Sequence, residues 1–185
     1  SELVGAHNPL AIGDRLETDI MGAVAAGVPA MHVLTGVHMA RDVIRAPRGQ
    51  RPSYLAIDMR GLLEAHPAPK HHRDGTWTCG LSQVAKAQRS GVLTLDDVEL
   101  TEPVTITIDS YRALAAAAWE YADSAGSAPS CPEITVVSND DPAGIVTAPE
   151  PTAALEDDND FFDVAANADS LPEPGAQTPA FLPGE

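Results

Sequence analysis

The heptapeptide Gly13-Asp14-Arg15-Leu16-Glu17-Thr18-Asp19 holds the residues whose types and spacing could do chemistry. It follows Pro9–Ile12, a short apolar run that reads as a buried parallel strand. A strand ending on Gly-Asp sets a carboxylate at the carboxyl edge of a parallel sheet, where open α/β folds place ligands. Asp19, five residues on, lies at the start of the following helix and can turn back toward Asp14. Two carboxylates converging there can hold a hard cation, one directly and one through a water. Mg2+ suits this arrangement, because it keeps several waters and takes one or two carboxylates plus phosphate oxygens. The same residues also read as an acidic turn with a capping aspartate, and the pattern alone leaves both open.

The elements that must position this turn alternate in the α/β manner. Thr18 is the expected N-cap, with Asp19 in the first turn where a negative charge suits the helix dipole. Ile20, Ala23 and Val24 mark one helical face, Gly27 is placed to end the helix, and Pro29 forbids its re-entry. Met31–Leu34 is a second buried strand, followed by a turn at Thr35-Gly36. Asp42–Arg45 is a short helix or turn before the Pro47–Pro52 break, Tyr54–Ile57 a third strand, and Met59–Glu64 a closing helix. Strand, helix, strand, helix, strand predicts parallel pairing with right-handed crossovers. Residues 1–66 therefore read as one α/β unit and residues 67–74, which include Pro-Ala-Pro-Lys-His-His, as a linker.

Residues 75–139 read as a small α+β unit without an obvious site. Thr76–Cys79 and the β-branched Val104–Ile108 are its expected strands. Asp109 or Ser110 should cap a helix running to about Ala122, with Leu114, Ala115, Ala118, Trp119 and Ala122 on one side. Ile134–Val137 adds a last strand.

Charge locates the remaining boundary. The 185 residues carry 27 acidic and 11 basic side chains, a formal charge of −16. Residues 123–185 hold 13 of the acidic residues, 9 of the 16 prolines and no Lys or Arg. Such a segment cannot bury enough apolar surface to offset its chain entropy, so 140–185 is expected to be a disordered acidic tail. Within it, Glu156–Asp163 encloses Phe161 and Phe162 and could order against a partner; otherwise it only solvates. It is no EF-hand, since it lacks the sixth-position Gly and the closing Glu. Strong acidity argues against nucleic acid and anionic membranes as partners. Cys79 and Cys131 form no CxxC, so a disulfide scaffold or zinc finger is excluded and a reducing cytoplasm fits. Ser1 in place of Met reads as a fragment or processed chain.

Pro9–Gly27, PLAIGDRLETDIMGAVAAG, resembles the fourth motif of the haloacid dehalogenase (HAD) superfamily. It is similar to the branch of NagD-like and phosphoglycolate or glycerol-phosphate phosphatases in actinobacterial form, as are Val33–Val37 and Gln50–Ile57. The resemblance covers about residues 3–66 and implies the C-terminal part of a HAD Rossmannoid parallel sheet. It implies that Asp14 ligates Mg2+ and that Asp19 orients a metal-bound water. Gly13 and Thr18 shape the loop, and Arg15 points near the site without a fixed role. In that family an aspartate attacks a phosphoryl group, and water hydrolyses the aspartyl-phosphate. Residues 75–137 have the general layout of the degenerate acetyltransferase-like appendage that follows in such phosphatases.

The sequence departs from the family where the chemistry begins. It contains no strand ending in Asp-x-Asp-Gly-Thr; the single Asp-x-Asp, Asp158-Asn159-Asp160, precedes Phe161-Phe162. Ile134–Asn139 looks like the second motif, yet it follows Asp14 instead of preceding it. Lys70 and Lys86 lack the Gly-Lys-Pro context, and no cap segment is present to choose a substrate. His66, His71 and His72 are a weaker metal candidate on a linker. Cys79 and Trp119 read as core. Two functions follow. The chain is the metal-binding part of a Mg2+-dependent phosphomonoester hydrolase, inactive alone and completed by an N-terminal half or by self-association. Alternatively it is a non-catalytic regulatory module whose acidic tail binds a partner.

Overall fold

Three short, mainly apolar runs form a parallel sheet, with the buried His32 inside the middle one. The computed structural model describes residues 7–148. β1 (Ala11–Gly13), β2 (Ala30–Val33) and β3 (Tyr54–Ala56) lie side by side in that order, all parallel. Ile12 stands opposite Met31, and Met31 opposite Tyr54. β2 is buried along its whole length. β1 is outermost, with β2 as its one strand neighbour among the described residues.

The crossover from β1 to β2 starts earlier than its composition suggests. Helical backbone begins with a π-type turn, Leu16–Ile20, which runs into α1 (Met21–Ala25). Thr18 is therefore inside the turn and is not the cap. Arg15 holds the cap position with extended backbone, and the Asp19 carboxylate reaches back to accept its N–H at 3.1 Å. With the start moved forward, the buried stripe is Leu16, Ile20 and Ala23, while Val24 stays 39% exposed. Gly27 ends the helix at φ +66°, its N–H donating to the Val24 carbonyl and the Val28 N–H to that of Ala23. α2 (Ala40–Ile44) follows β2, and Met59–Leu63 is a 3-10 turn in place of the expected helix.

Beyond Pro67 the chain builds two further sheets. β4 (Lys70–His71), β5 (Trp77–Thr78), β6 (Ala85–Ala87), β7 (Leu93–Leu95) and β8 (Val98–Glu99) form an antiparallel meander in chain order. β9 (Val104–Thr107) pairs in parallel with β10 (Ile134–Val137). Between them runs α3 (Ile108–Ala125), capped by Thr107, whose hydroxyl accepts the Ser110 N–H. So 67–74 is not a bare linker, since β4 falls in it, and Asp109 and Ser110 lie inside α3. The hairpin from β7 to β8 turns on Asp96 and Asp97, both at positive φ, an unusual choice for a turn that glycine or asparagine normally serves.

The expected boundary near residue 70 does not divide the core. Leu16, Ile20, Val43, Ile44 and Leu55 belong to one buried cluster with Leu93, Leu95, Ile106, Tyr111 and Leu114. Residues 108–115 of α3 are all buried, because the helix lies between the meander on one side and α2 and β3 on the other. Alanines let it approach closely. Trp119, expected in the core, is half-buried against it, donates its Nε1–H to the Val43 carbonyl at 3.0 Å, and lies under the Arg51 guanidinium. Asp123 near the end of α3 accepts from Arg51 and Arg48, which hold its carboxyl down to about 2. A second, smaller cluster, Met31, Val33 and Ala56 with Leu10 and Ile12, gathers separately from that core.

The chain is still structured just past residue 140. Asp141 caps a 3-10 turn at Pro142–Gly144, and Val146 exchanges two hydrogen bonds with the buried side chain of Gln83. The acidic run 156–163, with Phe161 and Phe162, lies outside the described residues. No helix among the described residues is long and apolar enough to cross a membrane.

Candidate metal centre

The turn after β1 carries two carboxylates on two glycines. A Cβ on Gly36 would meet the Asp14 carboxylate, and a Cβ on Gly13 would meet the Asp19 side chain, both at well under contact distance. Only glycine therefore lets these carboxylates settle against backbone at the carboxyl ends of β1 and β2. Asp14 Oδ2 accepts the Val37 N–H at 2.5 Å, which leaves Oδ1 without a donor among the described residues. Asp19 Oδ2 accepts the Arg15 N–H, and Oδ1 takes a longer bond from the Thr18 hydroxyl at 3.3 Å.

Two histidines brace the same turn. His32, fully buried on β2, points Nε2 at the Asp14 carbonyl oxygen at 3.3 Å, and the His38 backbone N–H donates to that oxygen too. Burial holds the His32 imidazole below its usual pKa, so it is neutral and Nε2 carries the proton. His38 Nδ1 accepts the Leu16 N–H at 3.1 Å, and its Nε2 faces Glu17 Oε1 at 3.2 Å. Neither histidine nor Gly36 stood out as a site residue in the sequence. The one signal available was a histidine in the apolar strand Met-His-Val-Leu, where a buried polar ring needs a partner.

The structure places the expected residues unequally. Asp19 lies against Gly13 and Thr18, while Asp14 turns to Gly36 and Val37; Arg15 is exposed and contributes its backbone N–H to Asp19. His66, His71 and His72 go to separate partners, namely the Gly61 carbonyl, Glu120 and the Thr78 hydroxyl. Among the described residues no three His, Cys, Asp or Glu side chains form a metal-binding group. Asp14 and Asp19 thus supply at most two carboxylates at this turn. Cys79 and Cys131 are unpaired and buried, and burial pushes both thiols up to about 11, so they pack and do not react.

A family model described as HAD-hydrolase-like matches residues 3–62. That match covers about a third of the chain. The D-glycerol 3-phosphate phosphatase of Mycobacterium tuberculosis is 38% identical over 117 residues, which is 60% of this chain and 30% of that protein. The likeness thus runs past the HAD-like segment, and the chain spans about a third of that relative's length. Two solved structures of the glycerol phosphate phosphatase from the same organism align with 70% of this chain. The complex with magnesium has a TM-score of 0.39 at 29% identity over 34% of its length. The complex with calcium has a TM-score of 0.40 at 24% identity over 35%.

The glycine cradle makes a direct prediction. In Gly36→Ala the new methyl must displace the Asp14 carboxylate from the Val37 N–H. A lost hydrogen bond to a charged acceptor costs about 1.5–3 kcal/mol. An unfolding free energy lowered by that amount, seen as a lower urea midpoint at constant slope, is the expected result; an unchanged midpoint would mean that Asp14 moves freely.

Proposed function

We propose that the chain is the metal-binding part of a Mg2+-dependent HAD phosphatase acting on a small phosphorylated metabolite such as glycerol phosphate. The observation that carries this reading is the pair Asp14 and Asp19, set on Gly36 and Gly13 at the carboxyl edge of a parallel sheet. Asp14 is the direct ligand through its free Oδ1, and Asp19 orients a bound water. Gly13, Arg15 and Thr18 shape the turn. Bound Mg2+ supplies positive charge to the phosphoryl oxygens during transfer. Asp14 and Asp19 hold that charge at the sheet edge, and the Val37 N–H keeps Asp14 from swinging away.

The nucleophile has to come from elsewhere. The fitting partner is the N-terminal part of such a hydrolase, whose strand would pair along the open side of β1. Support comes from that single-neighboured strand and from the apolar cluster of Leu10, Ile12, Met31, Val33 and Ala56 beside it. A second copy of the chain could cover the same edge by self-association. The buried free thiols suit a reducing cytoplasm. The meander, β9, β10 and α3 are the counterpart of the appended α+β unit of such phosphatases. A second reading, a non-catalytic regulatory module, is favoured by the missing Asp-x-Asp-Gly-Thr strand and by the lack of a third ligand among the described residues.

Metal addition separates the two. With one direct carboxylate, the chain should bind Mg2+ no tighter than roughly millimolar. The expected result is a saturable chemical-shift change at the amides of Gly13–Asp19 that Asp14→Asn removes. Micromolar binding that survives Asp14→Asn would put the metal elsewhere.

A further inference from the structure

We propose that His32 is the positioning residue of the metal turn, holding the Asp14 backbone so that its carboxylate faces the cation. This rests on the metal reading above. His32 is fully buried, yet its Nδ1 has no hydrogen-bond partner among the described residues. An unpaired buried acceptor costs free energy, so packing alone favours an apolar side chain of similar volume at this position. Its neighbours on β2, Met31 and Val33, are such side chains.

What the imidazole gains for that cost is one bond, Nε2–H to the Asp14 carbonyl oxygen. That oxygen also receives the His38 backbone N–H, so two donors from the β2 side fix the peptide that leaves Asp14. The next contact along the turn is again a histidine. His38 Nδ1 accepts the Leu16 N–H, which leaves Nε2–H directed at Glu17. Two imidazoles thus hold three successive points of the turn, Asp14, Leu16 and Glu17. Partners of this kind, one step removed from the metal, orient the ligand and typically carry ten- to hundredfold in affinity.

This role predicts opposite signs for stability and metal binding. His32→Met removes the unpaired Nδ1 and the bond to Asp14 together while filling the same space. Its melting temperature should equal or exceed that of the parent chain, and the Mg2+ concentration at half shift for Gly13–Asp19 should rise about tenfold. His32→Gln places an amide N–H near the position of Nε2 and should return that concentration to within about twofold of the parent. His38→Asn, whose amide oxygen can replace Nδ1 as acceptor for Leu16, should likewise bind better than His38→Ala. The measurement is Mg2+ addition to the full chain, followed by amide shifts, with thermal melts of each variant. An unchanged half-shift concentration in His32→Met overturns the inference and leaves the metal reading standing. Loss of stability and metal response together in both His32 variants also overturns it, since His32 would then be a packing residue. A parent chain whose Gly13–Asp19 amides ignore Mg2+ overturns the metal reading itself, and the inference with it.

Discussion

Arg112→Met should lower the stability of the chain by about 3–5 kcal/mol, the range expected when one partner of a buried ion pair is removed. Arg112 and Asp109 pair at 2.8 Å with 6% and 4% of their side chains exposed. Arg112 also donates to the Leu55 carbonyl in the middle of β3 and to His66 Nδ1, while His66 Nε2 turns to the Gly61 carbonyl. Asp109 accepts from the Leu81 N–H and from Asn139, and Asn139 accepts the Asp109 N–H in return. One ion pair thus ties β3, the chain after it, the Gly80-Leu81 turn, α3 and the end of β10. Methionine fills the stem but leaves the Asp109 charge buried with fewer donors. The total stability of a domain is about 5–15 kcal/mol, so a loss of this size brings unfolding within reach of mild urea. The double variant Arg112→Met with Asp109→Leu should lose less than the two single losses added, because no charge is left stranded. A single-variant loss under about 1 kcal/mol would mean that water reaches the pair as it does an exposed one.

The second large effect is catalytic. The full chain alone should hydrolyse p-nitrophenyl phosphate no faster than buffer, with or without Mg2+. The sequence holds no Asp-x-Asp-Gly-Thr strand, and losing the nucleophile of a covalent catalyst costs on the order of a millionfold. Three carboxylates of the described residues are already engaged. Asp14 is turned onto Val37 and Asp19 onto the start of its own helix, and Asp109 is locked against Arg112. Mg2+-dependent turnover abolished by Asp14→Ala would show that another carboxylate of this chain acts as nucleophile.

The parallel sheet was legible because its strands are apolar runs between clear breakers. Gly13, Gly27, Pro29 and Pro52 bracket β1, α1, β2 and β3, and each strand fell within a residue or two of its expected place. Asp14 stood out as a candidate because a carboxylate after a strand-ending glycine sits where open α/β folds place ligands, and Asp19 because it is close enough in sequence to turn back toward it. The cap was misread because Thr18 is a better N-cap by type, while the Asp19 carboxylate, one turn along, reaches the Arg15 N–H first. The meander was hidden for a different reason. β6, β7 and β8 are two or three residues long, too short for alternation to register, and the turn between β7 and β8 is built from two aspartates. Contacts far apart in sequence were out of reach altogether. Nothing local in Arg112 says that it will bond Leu55, and nothing in His32 says which carbonyl its ring will meet.

The central claim is that Asp14 and Asp19 form the metal side of a divided phosphatase site, and complementation tests it most directly. The full chain is mixed with a separately expressed N-terminal part of a HAD phosphatase that carries the Asp-x-Asp-Gly-Thr strand, and p-nitrophenyl phosphate hydrolysis is followed with and without Mg2+. The account predicts Mg2+-dependent turnover in the mixture that neither part shows alone and that Asp14→Asn in this chain removes. It also predicts slower amide exchange at Leu10–Ile12 on mixing, as β1 gains its second neighbour. Turnover that is indifferent to Asp14→Asn, or slow exchange at Leu10–Ile12 in the chain by itself with no turnover on mixing, would contradict it.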